Sequence, residues 1–256
     1  MPDERIPRDP RALAERLTAE LRALDAAIES WRRDGDVGTW PPPSEVELRT
    51  LYVQRAIRTM GRDPGLARRT IERLPPAWRF EIRSNVSATA ALFRHGRPVE
   101  SADGFRTAAP PPAGVLRGWF REAERRFGVH AETLAAVMLI ETRFGRIVSR
   151  STAGATGPMQ FIPSTWEAYG MGGDVRDPRD AIMGAANYLG ASGAPRAEAR
   201  ALYAYNPVDS YVHAVSSYAD VMRRDPDAFL RYYNWQVIVR TVDGDLQLTG
   251  PGAERR

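Results

Sequence analysis

Leu134-Ala135-Ala136-Val137-Met138-Leu139-Ile140 is apolar on every side and runs straight into Glu141-Thr142-Arg143-Phe144-Gly145. A helix with such a run passes through the middle of a core. By three-and-four spacing Leu134, Val137, Met138, Glu141 and Phe144 share one face, so the Glu141 carboxyl sits on the inward stripe. Loss of hydration disfavours the charged form there and raises the pKa, the condition a general acid needs near neutral pH. The same position also allows Glu141 to bend toward solvent or pair with Arg143 or Arg146. The helix alone does not choose between the two.

Working outward, the flanking segments are also helical. Leu116 to Phe127 is closed by Gly128, and the buried helix follows over about 131–144. A Gly-rich stretch over 153–174 is interrupted by Ser164-Thr165-Trp166-Glu167, a Ser-x-x-Glu capping-box start. Asp177-Pro178-Arg179-Asp180 opens the next helix, and a last long one runs from about Asp209 to Arg223. Toward the N-terminus, Leu13, Leu17, Leu21, Leu24, Ile28 and Trp31 line one face of an amphipathic helix. Ser44 to Glu47 repeats the capping-box pattern after a triple proline, and Asp63-Pro64 and Pro75-Pro76 punctuate two further helices. At the other end Trp235 to Thr241 alternates as a strand, Asp243-Gly244 signals a turn, and Leu246 and Leu248 continue the return strand.

The expected division is a disordered start over 1–9, an N-terminal helical region over 10–95, a stiff Pro-rich linker over 96–114, a helical catalytic domain over 115–228 and a C-terminal β-hairpin extension over 229–250. The fold class is mainly α. On this reading a fragment beginning near Ala113 folds alone, and residues 10–95 serve as a helical prop or as a docking module.

Composition excludes several classes. The chain has 256 residues, no Cys and three His without ligand spacing, so disulfides and thiolate or zinc sites drop out. Gly172 to Asp177 is too short and lacks the acidic spacing of an EF-hand, so no metal and no cofactor are expected. All 36 basic residues are Arg, but 32 acids are interspersed and the net charge is only +4, which argues against nucleic acid and suits an anionic polymer. No stretch approaches the roughly 20 apolar residues that span a bilayer, and Met1 to Pro10 is charged rather than an export signal.

Beyond Glu141 come Ser151-Thr152-Ala153-Gly154-Ala155-Thr156-Gly157-Pro158-Met159-Gln160-Phe161, then Ala204-Tyr205-Asn206, then Tyr211-Val212. This constellation resembles the lytic transglycosylases, relatives in fold of goose-type lysozyme. Their pattern is Glu-Ser at a helix end, a Ser-x-x-Gly-Ala-x-Gly-x-Met-Gln loop, an Ala-Tyr-Asn turn and a later Tyr-Val. The Gly-Pro-Met-Gln-Phe form looks like the branch found in actinobacterial envelope proteins. The resemblance implies a lysozyme-like fold and Glu141 as catalytic acid and base. It implies Met159 and Gln160 lining the glycan groove, Ser151 and Tyr205 at the acetamido sugar, Asn206 bracing the turn and Tyr211 facing the cleaved bond. Thr142 stands where that pattern has Ser, and Pro207-Val208-Asp209 replaces the usual Ala-Gly.

The implied substrate is the peptidoglycan glycan strand, which puts the protein at the cell envelope and makes cell-wall proteins, or more of the glycan, what a docking module over 10–95 would bind. A two-carboxylate glycosidase needs a partner acid about 5–9.5 Å away. Glu167, Asp177, Asp180 and Asp209 read as helix caps, and Asp174 lies in a Gly-rich loop. One acid suits an internal nucleophile on the substrate, and the resemblance implies a 1,6-anhydro product. A water-using muramidase is the enzymatic alternative, and a non-catalytic peptidoglycan-binding or scaffold protein is the alternative from another class.

Overall fold

The structure is a computed structural model and describes residues 2–253. Among these, eleven helices and one two-stranded sheet follow in chain order. The N-terminal helices are α1 (Pro10–Asp34), α2 (Ser44–Arg62), α3 (Pro64–Ile71) and α4 (Pro76–His95). The second group is α5 (Ala113–Phe127), α6 (Ala131–Thr142), α7 (Pro163–Tyr169), α8 (Pro178–Ala191), α9 (Glu198–Tyr205), α10 (Asp209–Arg224) and α11 (Ala228–Tyr233). Strands β1 (Ile238–Thr241) and β2 (Gly244–Gln247) pair antiparallel, with Ile238 opposite Gln247 and Thr241 opposite Gly244.

Three helices begin as their sequences dictate, with an aspartate accepting a bond from the first turn ahead of a proline. Asp9 accepts from Ala12, Asp63 from Leu66 and Asp177 from Asp180. The two capping boxes do not form. Pro43 is the N-cap of α2 and Pro163 is already the first residue of α7, and neither start has a side-chain cap. The rigid proline backbone leads the chain into the helix early, so each Ser lies inside the first turn.

Helix α6 is the axis of the second group, buried from Thr133 to Leu139, with α5, α8, α10 and α11 packed around it. Helix α4 lies along α10, and one continuous apolar core contains Leu17, Ile57 and Ile82 as well as Met138, Val215 and Tyr232. The segment 96–112 separates two sets of helices without separating two cores. Nor does it act as a spacer. Val99 donates to the Arg240 carbonyl, Ala108 donates to the Arg146 carbonyl, and the Pro111 carbonyl accepts the Tyr233 hydroxyl at 3.0 Å. The chain here is a strap, bonded to the hairpin on one side and to the segment after α6 on the other.

Two end regions correct the expected division. Residues 2–9 are not a disordered start, because Ile6 is buried in the core and Glu4 pairs with Arg16. The hairpin does not occupy all of 229–250. Residues 229–233 belong to α11, whose side chains are all buried, and Trp235 to Val237 stay outside the ladder. The Gln54 side-chain amide takes the place of a partner strand there. Its Nε2 donates to the Gln236 carbonyl and its Oε1 accepts from the Gln236 amide, both at 2.9 Å.

Candidate active site

Glu141 lies in the last turn of α6. Directly after it Arg143, Phe144 and Gly145 all take left-handed backbone angles, with φ of 53°, 60° and 86°. Two non-glycine residues in that region cost on the order of 1–3 kcal/mol each. Burial of the Phe144 ring against Phe120, Phe229 and Tyr233 offsets that cost. The turn is tied by Thr142, whose hydroxyl donates to the Pro158 carbonyl at 2.6 Å and accepts from the Gly145 amide at 2.9 Å. A hydroxyl is what this position requires, and Thr supplies it as Ser would. The helix end that carries Glu141 is thereby fastened to the loop at 151–161.

That loop is a tight hairpin. The amide of Thr156 donates to Phe161 and that of Phe161 to Thr156, both at 2.9 Å. Gly157 has φ of 80°, and a Cβ there would fall 1.9 Å from the Val175 carbonyl oxygen, so only glycine fits. Gln160 also takes a left-handed φ, and its Nε2 donates to the Gly157 carbonyl at 3.0 Å. Its carboxamide oxygen, with two acceptor sites, remains on the partly exposed side of the loop.

Glu141 itself is partly buried, and the Tyr211 ring is buried beside it. Burial pushes the Glu141 carboxyl from its ordinary 4.5 up to about 7, and the nearby Tyr211 hydroxyl, which has no hydrogen-bond partner among the described residues, opposes this only in part. Among the described residues no second carboxylate and no guanidinium contributes to its titration. Arg143 and Arg146, its conceivable partners by sequence, turn away. The Arg143 guanidinium donates to the Leu139 carbonyl and faces the Trp235 ring, while Arg146 lies between the Trp40 and Tyr233 rings. Glu141 therefore pairs with neither arginine, and its carboxyl titrates close to neutral pH.

The structure brings together Glu141, Tyr211 and Tyr205, whose hydroxyls are both driven upward by burial and by the charge of Glu141. Tyr205 donates to the Met159 carbonyl at 2.6 Å, which fastens the Ala-Tyr-Asn turn to the loop. Met159, expected to line a glycan groove, has its side chain fully buried in the apolar core instead. Ser151 is exposed at the loop entrance, with its Oγ accepting from the Ala155 amide at 3.0 Å. Asn206 ends α9, and its carbonyl accepts from Val208 at 2.7 Å. Of the expected caps only Asp177 is one. Asp209 is the first residue of α10 rather than its cap, Asp180 accepts from the Asp174 amide, and Asp174 from Arg176.

Sequence reasoning passed over Tyr169 and Tyr188. Their rings continue the row from Tyr205, at 5.6 Å from Tyr205 to Tyr188 and 4.7 Å from Tyr188 to Tyr169, and all three are partly exposed. Tyrosines at helical positions look like core, and no spacing rule separates a core ring from one that lines a wall. Among the described residues no three His, Asp or Glu side chains gather as a metal-holding group.

A carboxylic acid that titrates near neutrality thus stands at the end of a buried helix, fastened to a glycine-dependent loop and beside two tyrosines, within a mainly helical fold. Residues 118–221 match the family model described as Transglycosylase SLT domain. That segment runs from α5 into α10 and contains all seven expected site residues. No curated protein and no solved structure matches the chain.

Proposed function

We propose that the protein is a lytic transglycosylase that cleaves the β-1,4 bond between N-acetylmuramic acid and N-acetylglucosamine in peptidoglycan and leaves 1,6-anhydro ends. Glu141 donates its proton to the leaving glycosidic oxygen as that bond breaks. The acetamido carbonyl of the same muramyl sugar stabilises the anomeric carbon. Glu141, now a carboxylate, then takes the proton from the sugar's own 6-hydroxyl as its oxygen closes the anhydro ring. Atoms balance without water, and the acid is regenerated. Gln160 and Ser151 offer polar atoms to the sugar, and the Tyr211 hydroxyl lies beside the carboxyl.

The observation that carries this reading is the solitude of Glu141. A hydrolase of the two-carboxylate kind needs a second acid to activate water or to attack, and no other carboxylate registers on this one. Capture by a hydroxyl of the same sugar has an effective concentration far above that of an outside nucleophile. Such a substrate lies outside the cytoplasmic membrane, so the protein acts at the cell envelope. No helix among the described residues is long and apolar enough to cross a membrane. Digestion of purified sacculi followed by mass analysis tests the reading. Fragments lighter by one water and resistant to borohydride are expected, whereas predominantly reducible ends would identify a muramidase.

A further inference from the structure

A cavity of about 300 Å³ opens beside the same helix end, walled by α2, α4, the strap and β1, and lies outside everything the proposed cleavage uses. Four arginines line it, Arg58, Arg97, Arg143 and Arg240, and no carboxylate does. Its floor is apolar and aromatic, with Trp235 and Phe93. Volume and lining suit a small ligand with an apolar body and a few polar groups.

The charges differ in how far they are compensated. Arg58 is paired with Asp245, which also serves Arg62. Arg240 donates only to the Phe93 and Gly96 carbonyls at the end of α4. Arg143 donates to the Leu139 carbonyl, faces Trp235, and has no carboxylate among its electrostatic neighbours within the described residues. Desolvation of its guanidinium is correspondingly unfavourable. A carboxylate entering from solvent would relieve that cost, and a guanidinium fork receives one through two parallel bonds. Ile140 and Arg143 both line the wall, so the cavity lies within about one helical turn of Glu141.

Building on the proposed glycan cleavage at Glu141, we propose that this cavity binds a short acidic peptide with small apolar side chains. The peptide stem of the strand being cut has that chemistry, and so does a free peptide released from it. Residues 10–112 would then select the strands that reach Glu141, a role beyond propping the catalytic helices.

Titration calorimetry of the full chain with acetyl-Ala-Glu-Ala-Ala and with its neutral counterpart acetyl-Ala-Gln-Ala-Ala amide reads the cavity without requiring cleavage. The acidic peptide is expected to bind at least fivefold more tightly. Arg97→Glu, an exposed rim position, should weaken it at least fivefold, while Arg11→Glu on α1 changes charge equally and leaves binding as it was. Absence of binding, equal binding of the two peptides, or indifference to Arg97→Glu would overturn the proposal. Cleavage rates on peptide-bearing and peptide-stripped glycan strands distinguish the sources. Faster cleavage of peptide-bearing strands, narrowed by Arg97→Glu, identifies the attached stem, and equal rates with peptide binding intact identify a free peptide. Peptide binding with neither strand cleaved would support the cavity and count against the reading of Glu141.

Discussion

Glu141 and Glu81 are two carboxyls withdrawn from water in one continuous core, and they meet opposite treatment. Glu81, on α4, receives two bonds from the Arg231 guanidinium at 3.1 and 3.0 Å, and Asp25 and Asp225 bind the same arginine. Burial pushes both carboxyls upward, but only at Glu81 does a guanidinium pull the other way. Glu81 is part of a clamp between α1, α4 and α11. Glu141 is an acid whose titration is moved toward neutrality. Burial is common to both, and the difference between them is the guanidinium.

Removing the acid is the strongest test of that contrast. Glu141→Gln is expected to lower kcat by about a hundredfold or more, the usual contribution of general acid catalysis. Stability should move the other way. Below pH 4.5 the carboxyl is protonated in both folded and unfolded states and contributes nothing. Between 4.5 and about 7 the unfolded chain ionises first, and the fold loses on the order of 3 kcal/mol, a loss that stays constant above 7. Denaturant titration at pH 8 should therefore find Glu141→Gln more stable by roughly 1–3 kcal/mol, with the difference vanishing at pH 4. An equal loss of stability at both pH values would show that Glu141 is an ordinary structural carboxyl.

Breaking the clamp should do the reverse. Arg231→Met leaves Glu81, Asp25 and Asp225 facing one another without a cation, and a loss of about 3–5 kcal/mol is expected, with kcat per folded molecule unchanged. A fragment beginning at Ala113 carries this further. It strips α4 from α10, exposes Tyr218, and leaves Arg231 with Asp225 alone. We expect it to aggregate where the full chain is soluble. A soluble, active fragment would restore the independent domain that the proline run first suggested.

The smallest effect concerns Tyr211, whose hydroxyl lies by Glu141 and lowers its titration against the effect of burial. Tyr211→Phe removes that polar group, so the alkaline limb of kcat/KM should move up by a fraction of a pH unit. A downward movement would mean that the hydroxyl had instead stabilised the protonated acid.

Much of this was legible beforehand. The unbroken apolar run ending in Glu141 could only be a core helix, and the glycines of 151–161 stand where the backbone has positive φ. The Asp-Pro helix starts at 63 and 177 and the Asp243-Gly244 turn are local signals that tertiary structure did not override. What sequence could not disclose depends on long-range partners. Prolines at 98 and 110–112 stiffen a strap as well as they stiffen a linker, and only the bonds to Arg240, Arg146 and Tyr233 decide which. Met159 sits between residues that face the groove, yet its side chain turns inward. Gln54 substitutes for a strand 182 residues away, which no periodicity reveals.

The central claim is that the Glu141 carboxyl titrates near neutrality because, among the described residues, no cation offsets its burial. Carbon NMR of the side-chain carboxyls of the full chain, with Glu141 assigned from the resonance lost in Glu141→Gln, measures this directly. The account predicts a midpoint near pH 7 for Glu141. A midpoint near the ordinary 4.5 would contradict it.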